Sequence, residues 1–345
     1  MRGTAAGFAV GGFGAGSAVW GKVYIPSMNA VGLVNTFVLM GCVMSGTIFL
    51  CALIMRTPPP GYVAGGVNIH GQVDNSKRSS LVSETEYVIM MPDEKKHPEN
   101  YANPQIQELT LLDCLFSADY LCMYLMLFAN IAFGLIVLSR LADMVTILFE
   151  QSSETGATAV AVNGVFNCTG RLLMPMFSDV LIRWRRWNPP FARKMVFGLT
   201  LSVQLVLVAT LPAIIRARSF NWFLGEIWLL TFLYGGGFGT IPCFICDMFG
   251  AYNIGALHGF ILTAWSIAGV AGGLGFTSSY NQMVHAGKSA ASAYIHNFQW
   301  ILGVIICGFV ALFFIRTRSA DRFAPGYKFT LLGHTLFHLN KRTNN

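Results

Sequence analysis

Eight runs of mostly apolar residues, each near the roughly 20 that a helix needs to cross a bilayer, constrain this chain more than any other feature. They lie at about 4–26, 33–55, 115–139, 156–178, 194–215, 222–244, 257–280 and 298–316. Hydrocarbon offers backbone N–H and C=O groups no partner, so such runs must close their hydrogen bonds internally, as helices. Composition agrees: only 11% of the 345 residues are charged, whereas a soluble domain carries about 25%. The first run has little basic n-region, is rich in glycine and is followed within a few residues by a second, so it reads as a span rather than a cleaved signal. The expected fold class is an all-α membrane protein, a polytopic helical bundle.

The runs fall into two groups. Residues 1–56 hold two spans, 57–112 form a linker, 113–317 hold six spans, and 318–345 form a tail. The linker contains PPPGY, DNSKRSS and MMPDEKKHPEN; proline, charge and small polar residues leave it too little apolar surface for a core, so it is expected to be flexible. The tail from Arg318 is basic and is likewise expected to be poorly ordered. With the N-terminus inside, the inner segments carry seventeen Lys and Arg residues and the outer loops only Arg140, Arg216, Arg218 and Lys288. Basic loops stay in the cytosol, so both termini and the linker are expected there. The net charge of +7 is then the signature of a cytosolic membrane face. The expected partner is the lipid bilayer, with no nucleic acid.

Enzyme chemistry finds no foothold. The sequence has no HExxH, nucleophile–base pair, paired carboxylates or phosphate loop, and no cofactor is implied. Cys243 and Cys246 form a CxxC without the second pair or histidines of a zinc site. The sequon at Asn167 lies inside a span, beyond reach of glycosylation. Gly12-Phe-Gly14-Ala-Gly16 lacks the preceding strand of a nucleotide-binding loop. Gly7, Gly11, Gly12 and Gly16 instead have the small-xxx-small spacing that lets membrane helices approach closely. In YGGGFGTIP (234–242), three glycines and a proline suit either a bending span or close packing.

Two further patterns bear on function. AAGFAVGGFGAGS (5–17) aligns with LHGFILTAWSIAG (257–269), matching Gly7-Phe8 to Gly259-Phe260 and Phe13 to Trp265, a trace of the duplicated halves common in transporters. On that alignment the first half has two helices where the second has six. Asn163, Asn167 and Arg171 are spaced i, i+4, i+8 and share one helix face. A charge inside a membrane usually faces a cavity or partner, so this stripe reads as the lining of an aqueous path, with interfacial snorkelling of Arg171 as the alternative. Asp119 and Asn130 in the third span lie on nearly the same face. If buried, Asp119 would either balance Arg171 or carry a coupling proton.

These residues resemble the major facilitator superfamily, in its oxalate/formate antiporter-like branch related to monocarboxylate carriers. RGTAAGFAVGGFGAGS (2–17) resembles the start of that family's fifth helix and RTPPPGY (56–62) the end of its sixth. NCTGRLLMPMFSD (167–179) is similar to the eighth helix and the signature loop after it, and YGGGFGTIPCFICDMFG (234–250) with GALHGFILTAW (255–265) to the tenth and eleventh. The resemblance implies a facilitator-type fold in which the eight spans are helices five to twelve of twelve, in an N-terminally truncated chain. It implies alternating-access transport of a small carboxylate, engaged by Arg171 with Asn167, Asn163 and Trp265 around it. The planar guanidinium suits that role because it binds carboxylate bidentately. Asp119 becomes the candidate for coupling, and Asp179 with Arg183 the gating loop. Two positions depart from the family pattern: Pro175 replaces a glycine of the signature loop, and Trp265 stands where oxalate carriers have a lysine. A single cation favours a monocarboxylate over a dianion. The competing expectation is a membrane protein with a structural or regulatory role and no transport.

Overall fold

The computed structural model describes residues 2–56, 63–64, 67–68, 109–250, 253–324, 326–331 and 334–339. The chain forms two compact units, one of residues 1–18 with 99–345 and the other of residues 19–98. Most of the expected linker and the last residues of the tail lie outside the described residues.

Helix α1 (Arg2–Val31) contributes its first half to the larger unit and its second to the smaller. It stops at Gly32, whose φ of 80° only glycine adopts without strain, and α2 (Leu33–Ile54) follows. Apart from Thr36, hardly any of α2 is covered, as suits a helix in contact with lipid. Strands β1 (Val63–Ala64) and β2 (Val67–Asn68) form one short antiparallel pair.

The larger unit begins with α3 (Leu111–Leu115), started by a capping box in which Thr110 and Asp113 each satisfy the other's backbone N–H. Its bundle consists of α4 (Ala118–Leu138), α5 (Leu141–Phe149), α6 (Ser153–Arg185), α7 (Pro189–Arg216), α8 (Phe220–Phe249), the nearly continuous α9 (Ile254–His285) and α10 (Ala290–Phe314). Serines 117, 152 and 289 cap the starts of α4, α6 and α10, and Pro189 opens α7, where its missing N–H removes nothing. The central contacts are α6 with α8, α4 with α10 and α8, and α7 with α8 and α10. Their core contains Met123, Met126, Leu127, Phe133, Phe197, Phe244 and Phe298. Buried amides also tie the bundle: Asn130 Nδ2 donates to Gln204 Oε1 at 3.2 Å and Gln204 Nε2 to the Asn130 carbonyl at 3.1 Å, joining α4 to α7.

All eight expected spans are helical. Six helices are long and apolar enough to cross a membrane, and α1 and α6 fall outside that set, because glycines and polar side chains dilute their apolar surface. Of the two readings of 234–242, close packing is seen: α8 runs unbroken from Phe220 to Phe249, with Gly235 and Gly239 against the backbone of α6. Two expectations need correction. The signature loop expected at Asp179 is helix, since α6 continues through Pro175 to Arg185. The tail folds against the bundle as α11 (Ser319–Arg322) and a hairpin of β3 (Tyr327–Leu331) with β4 (His334–Leu339). It is held because buried charged groups receive it: Arg316 pairs with Asp119 at 2.8 Å and donates to the Asp321 carbonyl, and Thr330 donates to Asp321. Burial pushes the Tyr327 phenol up to about 12, so it stays a neutral donor to the Phe314 carbonyl.

Candidate functional site

Close helix approach places Arg171. Gly170 on α6 faces the Phe232 carbonyl of α8, while Gly235 and Gly239 of α8 face the backbone of Asn167 and Arg171. A Cβ at any of these positions would strike a carbonyl of the neighbouring helix, so glycine brings the two backbones together. On the other side, a Cβ at Gly14 of α1 would come 2.7 Å from the Cys168 amide nitrogen and 2.8 Å from Asn167 Oδ1. The polar stripe of α6 is thereby enclosed between α8 and the first half of α1.

The result is a cation in an aromatic cage. Arg171 has no exposed surface, and its Cζ lies 4.7 Å from the ring centre of Phe13, 4.4 Å from Phe238 and 5.9 Å from Tyr234. The Trp265 ring packs edge-on against Phe13 at 5.8 Å and Phe238 at 6.2 Å. Electron-rich ring faces attract the cation, but they leave its N–H donors unused. Arg171 Nε donates to Asn167 Oδ1 at 2.8 Å, whereas Nη1 and Nη2 lack a hydrogen-bond partner among the described residues. The same holds for Asn167 Nδ2, both amide atoms of Asn163 and Trp265 Nε1. Arg171 has no carboxylate partner among the described residues, unlike the other fully buried arginine. The arrangement presents positive charge and several buried donors, with the Tyr234 hydroxyl beside Arg171 and Trp265 but no carboxylate to receive them among the described residues.

Asp119 lies elsewhere. It is buried at the start of α4, accepts from the backbone and side chain of Arg316, and has Arg322 Nε 3.9 Å away. Its charge is balanced by Arg316, just after α10, and by Arg322 of the tail, and not by Arg171.

Two turns beyond Arg171, a second charged cluster joins four helices. Arg193 of α7, 2% exposed, pairs with Asp179 of α6 at 2.7 Å and with Asp247 of α8 at 3.1 Å. It also donates to Ser178 Oγ and the Pro175 carbonyl. Asp179 accepts from the Gly3 and Thr4 amides and the Thr4 hydroxyl, a carboxylate at the positive N-terminal end of α1. Arg2 adds a bond to Asp247 at 3.2 Å. Arg183, expected with Asp179 in the gating loop, lies one turn further along the helix and is exposed, and Arg193 is the arginine that pairs with Asp179. Sequence reading missed Arg193, Asp247, Tyr234 and Phe238 as site residues. The charges at 193 and 247 adjoin apolar runs, which is a signal of a kind, but nothing local pairs them across 54 residues.

No family profile matches the chain. Over 269 residues, 78% of this chain, it is 23% identical to a protein of Escherichia coli (strain K12) named Uncharacterized MFS-type transporter YhjX, of which the match covers 55%. The chain thus spans about half the length of that curated relative. With six helices able to cross a membrane, this likeness makes the chain a multi-pass helical integral membrane protein.

Proposed function

We propose that this chain belongs to a facilitator-type secondary transporter of a small organic anion, a monocarboxylate, and that Arg171 is its carboxylate anchor. A single observation carries the reading: a fully buried guanidinium lying among ring faces, with no carboxylate partner among the described residues. Burying such a charge is unfavourable by several kcal/mol unless a partner arrives, and a carboxylate fits the two parallel donors. Asn167 fixes the guanidinium plane through Nε, so both Nη groups stay free for the ligand. The cage of Phe13, Phe238, Tyr234 and Trp265 excludes water, which strengthens the ion pair, and sets an upper limit on ligand size.

The expected transport cycle is alternating access. The Arg193 cluster supplies a catch for it: Asp179 holds the start of α1 while Arg193 holds Asp179 and Asp247. Releasing α1 would require breaking three hydrogen bonds to one buried carboxylate. Asp119, paired with Arg316, fits a tail anchor better than a proton carrier.

The test is saturable uptake of labelled monocarboxylates by cells expressing the protein at its natural length, normalised to surface expression. Arg171→Gln should abolish uptake and Arg171→Lys should restore little, since an ammonium keeps the charge but loses the two-pronged geometry. Near-normal uptake with Arg171→Lys would refute the anchor.

A further inference from the structure

Asn163 has no structural task that accounts for it. It lies on α6 two turns before Arg171, is 1% exposed, and both atoms of its amide lack a hydrogen-bond partner among the described residues. A primary amide offers two donor hydrogens and a carbonyl acceptor, and leaving all of them unpaired in an apolar interior is unfavourable. Asn130, on α4, shows what a structural amide looks like: it exchanges hydrogen bonds with Gln204 and joins two helices.

Its position relative to the guanidinium is informative. The Arg171 side chain folds back toward the start of α6, bringing Nε to Asn167 Oδ1. The guanidinium therefore sits at the level of Asn167. Asn163 lies one helical turn further, about 6 Å along the axis at 1.5 Å per residue. That separation suits a ligand whose carboxylate meets Arg171 and whose second polar group lies a few bonds away.

From this spacing, and resting on Arg171 as the carboxylate anchor, we infer that Asn163 selects short hydroxy acids over unsubstituted monocarboxylates and over dicarboxylates. A hydroxyl both donates and accepts, so it satisfies Asn163 Oδ1 and Nδ2 together. An alkyl terminus leaves the amide unpaired. A second carboxylate only accepts and brings a charge that needs its own cation. Arg193, the nearest further buried arginine on these helices, is already occupied by Asp179 and Asp247.

Three probes of equal chain length separate the possibilities: butyrate, 4-hydroxybutyrate and succinate, which end in methyl, hydroxymethyl and carboxylate. Binding to the purified chain in detergent is measured by titration calorimetry for the wild type, Asn163→Leu and Arg171→Gln. The wild type should bind 4-hydroxybutyrate about tenfold more tightly than butyrate, the ratio that one to two hydrogen bonds supply, and succinate more weakly than either. Asn163→Leu should bring 4-hydroxybutyrate down to the butyrate level or below, with circular dichroism and thermal unfolding in the same detergent showing the variant folded. Arg171→Gln should lose all three. Equal wild-type affinities for butyrate and 4-hydroxybutyrate, or an undiminished preference in Asn163→Leu, would overturn the role of Asn163 and leave the anchor standing. Should Asn163→Leu fail to fold, the wild-type ratio still decides. Absence of carboxylate binding to the wild type, or unchanged binding in Arg171→Gln, would overturn the anchor and this inference with it.

Discussion

Two buried arginines on neighbouring helices should respond in opposite ways to replacement by methionine. Arg193 lies between Asp179 and Asp247 at 2.7 and 3.1 Å, so Arg193→Met leaves two carboxylates with reduced compensation. Breaking a buried ion pair costs about 3–5 kcal/mol. The lower end applies here, because Arg2 remains on Asp247 and the start of α1 remains on Asp179. Arg171→Met deletes one charge-assisted hydrogen bond worth about 1.5–3 kcal/mol and ring contacts worth about 0.5–2 kcal/mol. It also relieves a desolvation penalty of several kcal/mol, and the thioether keeps favourable contact with the aromatic cage. These contributions nearly cancel, so the expected change runs from about zero to a stabilisation of about 2 kcal/mol. Thermal unfolding of the purified chain, wild type and both variants in one detergent, gives the order: Arg193→Met lowest, Arg171→Met at or above wild type. A cycle of Arg193→Met with Asp247→Asn should show a coupling of at least about 1 kcal/mol. Comparable losses in Arg193→Met and Arg171→Met would refute the reasoning, because Arg171 would then have a structural partner rather than open donors.

Other outcomes follow from the same geometry. Gly239→Ala puts a Cβ against the Arg171 carbonyl and should destabilise by about 1–3 kcal/mol, whereas Gly273→Ala, with nothing within 4 Å, should change melting little. Asp119→Asn weakens the hold on Arg316 and Arg322, so limited proteolysis should cut between α11 and β4 faster than in the wild type; an unchanged cutting rate would remove Asp119 from the tail anchor. A single cysteine placed at Ser79 should react with impermeant maleimide only after the cells are opened, since basic loops favour the cytosolic side; labelling of intact cells would reverse the topology.

Where the sequence spoke clearly, the physics was local. Lipid forces a long apolar run into a helix whatever its neighbours are, so the eight long helices were legible before their packing was known, whereas the short α3, α5 and α11 were not. Helical periodicity likewise put Asn163, Asn167 and Arg171 on one face; of the glycines spaced for close approach in α1, Gly7 and Gly11 meet α6 while Gly12 has nothing within 4 Å. The stripe showed that Arg171 had polar company but not what lay opposite it. Phe13, Tyr234 and Phe238 reach it from two other helices.

Charge pairing was decided by tertiary structure alone. Asp119 and Arg316 are 197 residues apart, and either could have met any opposite charge at the same membrane level. The sequence grouped Asp179 with Arg183 in a gating loop, yet α6 continues past the aspartate and carries Arg183 one turn further, where it is exposed. Arg193 arrives instead from the first turn of the next helix, within reach of Asp179 and Asp247 together. Helix periodicity fixes which face a side chain shares with its own neighbours. Only interhelical packing fixes which face of another helix it meets, and that choice left Arg193 paired and Arg171 open.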